Sequence, residues 1–275
     1  MAQKSKRQII DTHIHILNIS HLDYHWLSPT SPLYRDIDIS EIDTEITELD
    51  VEGFVLIEAT NTAQEVDFLL AQANTNDRYL GVIAWLDINH PSVGERIKHY
   101  AKNPYFKGIR INYFSHRSNL DHLSTVMQAL SDHDLVLDIL MKAEYSADIA
   151  KLAALYPDII FVLNHLAGIP IAESLLPKWQ NNLRVLSEQA NIILKISHHI
   201  VFDNLKAVID HLIKVMKVDR LLFGSNFPMF ITENSYTAIC SHLIQATDHL
   251  IESERHAILH DNALRIYQLT RLTEA

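Results

Sequence analysis

Two histidines stand two residues apart at the end of a short apolar run, Ile9-Ile10-Asp11-Thr12-His13-Ile14-His15. In a β-strand alternate side chains share a face, so His13 and His15 point one way and Ile14 the other. Neutral imidazoles converging from one strand end either ligate a divalent ion, zinc being the one expected, or bind and polarise a substrate oxygen without a metal. Further along, polar residues recur just past apolar runs: Glu58, Asp87, Arg110 with Asn112, Asp138, Asn164 with His165, Lys195 with Ser197, and Ser225 with Asn226. His13, His15, His165, Arg110 and Lys195 together suit attack of water on a polarised carbonyl. The histidines hold a metal ion or the carbonyl oxygen itself, and Arg110 grips a carboxylate or sugar-acid oxygen at two points. A general base for this chemistry is normally a carboxylate, yet the last run delivers Asn226, so Glu58, Asp138 or a histidine of the 21–25 stretch is the candidate substitute. Lys195 is expected to pair with Glu58 or Asp138, because an unpaired buried ammonium is costly.

The elements that must position these residues follow a regular beat from residue 54. Apolar runs at 54–57, 80–88, 106–111, 135–140, 159–163, 192–196 and 220–223 read as strands, making eight with the first. Between them lie helical stripes: Val66, Leu69, Leu70 and Ala73 behind a Thr62/Glu65 capping box; a segment at 91–102; Leu120, Leu123, Met127 and Leu130; segments at 146–156 and 177–190; and Leu205, Val208, Ile209, Leu212 and Met216. Near-continuous apolar strands alternating with amphipathic helices predict a parallel sheet covered on its outer face, and eight such units predict a closed (β/α)8 barrel, with its site at the carboxyl ends of the strands. The glycines are isolated, which excludes a P-loop or dinucleotide fingerprint. Residues 16–40 form a long irregular segment carrying His21, Tyr24, His25 and Trp26, expected to act as a lid or pocket wall with His25 facing substrate. A helix at about 253–269 closes the chain, and residues 1–275 are expected to form one barrel domain.

Composition narrows the function. The formal charge is −11 and the only basic cluster is Lys4-Ser5-Lys6-Arg7, so a nucleic-acid partner is excluded. No window reaches the ~20 apolar residues of a membrane helix, and the basic cluster precedes no signal-like apolar stretch. A single cysteine, Cys240, allows no internal disulfide, which fits a cytoplasmic location, and its helical setting predicts a buried apolar role. Histidine is abundant at 17, so abundance selects none of them. No surface is marked as the face of a homo-oligomer; the expected partner is a small molecule.

With these residues in view, the chain resembles the amidohydrolase superfamily, in its lactonase-like branch of fuconolactonases, rhamnonolactonases and pyrone-dicarboxylate lactonases. The resemblance runs through Ile10-Asp11-Thr12-His13-Ile14-His15, Val51 to Ala59, Phe106-Lys107-Gly108-Ile109-Arg110, Leu135 to Leu140, Asn164-His165-Leu166-Ala167-Gly168-Ile169-Pro170, Asn191 to Ser197, Arg220 to Pro228 and Asn262 to Tyr267. It implies a (β/α)8 hydrolase in which His13, His15 and His165 are the motif histidines and Arg110 lies near the substrate; branch members work with or without a divalent metal. The branch usually ends its last strand in Gly-Ser-Asp-aromatic-Pro, the Asp acting as general base. Here that position is Asn226, whose amide takes no proton near neutral pH. The resemblance therefore favours hydrolysis of a lactone or related cyclic ester, and Asn226 keeps open decarboxylation, isomerisation, hydration or simple binding.

Overall fold

A computed structural model describes residues 8–113, 122–170, 172–197 and 204–270. Its eight strands are β1 Ile9–Ile14, β2 Val51–Ile57, β3 Tyr79–Ala84, β4 Phe106–Asn112, β5 Val136–Leu140, β6 Phe161–Leu163, β7 Ile192–Ile196 and β8 Leu221–Phe223. They pair in parallel in sequence order. The ring closes just beyond β8, where Phe227 bridges Ile14, the Asn226 N–H donates to the His13 carbonyl at 2.8 Å and the His15 N–H donates to the Phe227 carbonyl at 2.7 Å. This is the predicted (β/α)8 barrel.

The helices are α1 Asp43–Leu49, α2 Ala63–Thr75, α3 Val93–Tyr100, α4 Leu123–Asp132, α5 Ser146–Leu155, α6 Leu176–Ser187, α7 Leu205–Met216 and α8 Tyr236–Ala246. Strand parity sorts the core into two compartments. Outward residues such as Leu56, Val82, Ile109, Ile139, Leu163 and Leu194 pack against the helical stripes, including Val66, Ile97, Val126, Ile149, Leu183 and Ile209. Inward residues Ile10, Val55, Ile57, Ile83, Val136, Val162, Ile193 and Leu222 fill the barrel itself. Their cluster is completed by Ala263, Ile266, Tyr267 and Leu269. After α9 Glu252–His256 and a π-helical turn Ala257–Asp261, Ala263 and Ile266 lie in α10 Asn262–Ile266 and Tyr267 and Leu269 just beyond it, so the expected C-terminal helix is interrupted and its end plugs the amino-terminal mouth of the barrel.

Local chemistry shifts some expected boundaries. β3 ends at Ala84, so Asp87 is not at a strand end; it accepts the Asn89 N–H at 3.0 Å in the following turn. The capping box forms only in half. Thr62 accepts the Glu65 N–H, while the Glu65 carboxylate reaches past Thr62 to the N–H groups of Ala59 and Thr60 at 3.0 Å each. Leu120 and the Lys4 to Arg7 cluster lie outside the described residues. Cys240 is buried, and no helix among the described residues is long and apolar enough to cross a membrane.

The 16–40 segment is pinned to the barrel. Leu17 and Ile37 bridge antiparallel, Tyr24, Leu27 and Leu33 are buried, Thr60 Oγ1 donates to the Asp23 carbonyl at 2.6 Å, and Trp26 Nε1 donates to the Ala59 carbonyl at 2.6 Å. It walls the rim beside the end of β2.

Candidate active site

The inward positions above the apolar plug carry a polar layer. Arg110 of β4 and Asp138 of β5 are register partners, and Lys195 of β7 points into the same interior. Lys195 Nζ lies 2.7 Å from Asp138 Oδ2, and neither side chain touches solvent. Asn164 Nδ2 donates to Asp138 Oδ1 at 2.6 Å, and Arg110 Nε stands 4.0 Å from that oxygen. Arg110 Nη1 lies 3.5 Å from Glu58 Oε1 and donates to the Glu58 carbonyl at 3.4 Å. Lysine and arginine are thus balanced by Asp138 and Glu58, a solution burial demands. Burial lowers the Lys195 pKa, against the pull of Asp138. Burial also raises the Glu58 pKa, with Arg110 opposing and Asp138 adding to the rise.

The three histidines come together at the carboxyl mouth. The His13 ring centroid is 5.1 Å from that of His15 and 4.7 Å from that of His165. His15 Nδ1 donates to the Ile57 carbonyl at 3.0 Å, and burial, followed by the Arg110 charge, lowers its pKa to about 3. A neutral imidazole with its proton on Nδ1 presents Nε2 as a lone pair. His165 Nδ1 lies 3.1 Å from Ser197 Oγ and 3.3 Å from the Ser197 carbonyl, which orients that ring. His13 differs from both. It is fully buried, held well below the usual histidine range by burial and then by Lys195, and neither of its ring nitrogens has a hydrogen-bond partner. Two orphaned nitrogens on one buried ring are a costly arrangement. A metal ion or a polar substrate atom entering between the rings relieves it.

Backbone geometry supports the mouth. His165, Leu166 and Ala167 take left-handed conformations in succession (φ 48°, 57° and 52°), as does Asn226 (φ 66°). Such conformations cost non-glycine residues about 1 to 3 kcal/mol each and persist where surroundings over-determine them. Here they turn His165 and Asn226 over the strand ends. A Cβ on Gly224 would sit 2.8 Å from His13 Cβ, so β8 needs glycine to pass this close to β1.

His13, His15, His165, Arg110, Glu58, Asp138 and Lys195 therefore form one connected group, and Asn226 is tied to it through the His13 carbonyl. His25 is elsewhere. Its side chain is 78% exposed on the rim and pairs with Asp23 Oδ2 at 3.2 Å. Asp11 was not anticipated. Behind β1, it accepts the N–H groups of His13 (3.1 Å) and Ser225 (2.9 Å) and the Tyr236 hydroxyl (3.0 Å), and burial raises its pKa to about 6 despite those bonds. It ties β1, β8 and α8 together directly behind His13. Its only signal in the sequence is a charge inside an apolar strand.

Residues 10–269 match the family described as Amidohydrolase. An L-fucono-1,5-lactonase from Burkholderia ambifaria is 23% identical, the match covering 95% of this chain and 96% of that one. The crystal structure of an amidohydrolase from Burkholderia multivorans with bound zinc superposes with a TM-score of 0.85 at 22% identity, covering 96% of this chain and 100% of that one. A structure named as a probable 2-pyrone-4,6-dicarboxylic acid hydrolase from Acinetobacter baumannii, with citric acid bound, gives a TM-score of 0.77 at 16% identity, covering 95% and 99%.

Proposed function

The chain belongs to the amidohydrolase family, and from that premise we propose that it is a hydrolase that opens a small lactone by adding water at the carboxyl mouth of its barrel. The observation that carries this reading is His13: a fully buried imidazole with two unpartnered nitrogens, flanked by His15 and His165. That donor set fits a divalent ion of the zinc class, held by His13, His15 and His165, and in keeping with it a related fold carries zinc. Such an ion, when bound, supplies Lewis-acid polarisation of the carbonyl and a lowered pKa for the attacking water.

The chain's own groups divide the remaining work. Glu58, its pKa raised by burial, accepts a proton from the attacking water and returns it to the ring oxygen as the carbon–oxygen bond breaks, giving a hydroxy acid. Arg110 sits beside Glu58 at the rim and attracts a substrate carboxylate or sugar-acid oxygen, in line with the acidic or sugar-acid substrates of lactonase relatives. Asp138 and Lys195 neutralise one another beneath, so the cation contributes field without being consumed as a base. Asn226 fixes the β8 end against β1 through its backbone N–H.

The test is a panel of sugar-acid lactones, L-fucono-1,5-lactone among them, with pyrone carboxylates and aromatic acids, offered to chelator-stripped and zinc-reloaded protein. Water addition is followed by proton release and by mass. Hydrolysis of a lactone, abolished in His13→Ala, is the expected result. Carbon dioxide release from an acid, with every lactone intact, would overturn it in favour of the non-hydrolytic reading that the amide of Asn226 favours.

A further inference from the structure

At the opposite end of the barrel lies a second histidine cluster that the proposed reaction does not use. Glu52 is the second residue of β2 and Glu58 follows its last, so about 20 Å of strand separates this place from the catalytic mouth. His256 ends α9, and His260 and Asp261 belong to the π-helical turn. The His256 and His260 rings are 4.8 Å apart between centroids. His256 Nδ1 lies 2.9 Å from Asp261 Oδ2, His260 Nδ1 lies 2.9 Å from Asp261 Oδ1, and His260 Nε2 lies 3.1 Å from Glu52 Oε2.

His260 poses a problem of proton count. It is 6% exposed and both its ring nitrogens face carboxylate oxygens, which only accept. A neutral imidazole has one N–H, so one of the two contacts needs a second positive centre: an extra proton, or a metal ion. If Nε2–H points to Glu52, Nδ1 is left as a lone pair facing one oxygen of the Asp261 carboxylate, whose other oxygen faces His256 Nδ1. A carboxylate bonded to the far nitrogen of an imidazole is the arrangement that orients metal-binding histidines. One donor atom from each of His256, His260 and Asp261 can be chosen so that all lie within 4.8 Å of one another. Donors on one tetrahedral zinc-like ion, with bonds of ~2.0 to 2.1 Å, stand about 3.4 Å apart, so closure asks the widest pair to draw in by roughly 1.4 Å, which rotation of the partly exposed His256 side chain supplies.

We propose that His256, His260 and Asp261, with Glu52 orienting His260, bind a divalent transition-metal ion of the zinc class, separate from the catalytic mouth. Two imidazoles and one carboxylate select such an ion over magnesium or calcium, which take oxygen donors. The ion locks the turn that leads into the plug residues Ala263, Ile266, Tyr267 and Leu269, so its effect is on stability and not on turnover.

The experiment counts zinc bound by equilibrium dialysis and metal analysis, using His13→Ala to disable the mouth. His13→Ala is expected to keep an equivalent that His13→Ala/His256→Gln and His13→Ala/Asp261→Asn both lose. Zinc should raise the Tm of His13→Ala but not that of either double variant, and binding should release protons, read as a calorimetric heat that depends on the buffer's ionisation enthalpy. Circular dichroism matching the parent certifies each fold. Zinc retained in both double variants at the level of His13→Ala, or no zinc bound by His13→Ala at all, overturns the proposal.

Discussion

Lys195→Met tests whether the lysine at the centre of the barrel is a structural counter-ion or a base. It removes an ammonium that lies 2.7 Å from Asp138 with both side chains fully buried. Breaking a buried pair from one side costs about 3 to 5 kcal/mol, because a desolvated charge is stranded. The stranded Asp138 still accepts from Asn164 at 2.6 Å and has Arg110 Nε at 4.0 Å, which places Lys195→Met near the lower bound, about 3 kcal/mol. The reverse change, Asp138→Leu, leaves the ammonium with the Tyr267 ring face 5.5 Å away and so belongs near the upper bound, about 5 kcal/mol. Lys195→Met/Asp138→Leu removes both charges and should recover most of either loss, since apolar replacement of a buried pair is often neutral. Urea unfolding of the four proteins at pH 7 measures the cycle. A cost below about 1 kcal/mol for Lys195→Met, or single costs that simply add in the double variant, would mean that Lys195 is uncharged in the folded protein and available as a base.

Other changes test the neighbouring parts. Asn226→Asp puts a second carboxylate just past β8, in a left-handed conformation that Asp tolerates as Asn does; with Glu58 already serving as base, kcat for lactone opening should fall, whereas a rise of about 10² to 10⁴ would refute that role of Glu58 and an unchanged kcat with an unchanged Tm would refute a role for this position in water activation. Glu65 has its pKa raised to about 8 by burial, so in the folded protein it binds a proton that the unfolded chain, titrating near 4.5, gives up. Its contribution is present in full below pH ~4.5 and is lost as pH rises through about 8; Glu65→Gln should flatten the fall in unfolding free energy between pH 5 and 9 by about 3 kcal/mol or more, and parallel curves for the two proteins would refute it. Gly224→Ala sets a Cβ 2.8 Å from His13 Cβ and 3.2 Å from Ser197 Cβ, and should cost about 1 to 3 kcal/mol in thermal unfolding together with most of the activity, whereas full activity at the parent Tm would show that the strands can part there.

The barrel and its histidine group were legible because both depend on parity. A residue two places from another on a strand shares its face, so apolar runs ending in polar residues announce what the mouth receives. Parity alone puts Asp11 on the face of His13, two residues on, but β1 shifts register between Asp11 and Ile14, and that irregularity turns Asp11 behind the strand. It faces α8, and its partners Ser225 and Tyr236 are more than two hundred residues away. Where apolar character outlasts the ladder, boundaries slipped: residues 85–88 remain mostly apolar after β3 has ended, which put Asp87 at a strand end it does not occupy. Spacing alone suggests a full capping box for Glu65, but the N–H groups of Ala59 and Thr60 offer its buried carboxylate more bonds. His25 looked suited to substrate because its segment is aromatic; the segment turns its buried aromatic, Tyr24, inward and leaves His25 beside Asp23 in water.

The plug at the amino-terminal mouth sets an order of events during synthesis. Ile10 and Val55 are among the first core residues to leave the ribosome, and the side chains that finish their compartment, Ile266, Tyr267 and Leu269, are among the last. A nascent chain that has emerged only as far as β8 has all eight strands but a floor open to water beneath them. The barrel interior therefore becomes dry only after translation has passed the final helical turns, and until then its inward residues, from Ile10 of β1 to Leu222 of β8, stay open to water from below.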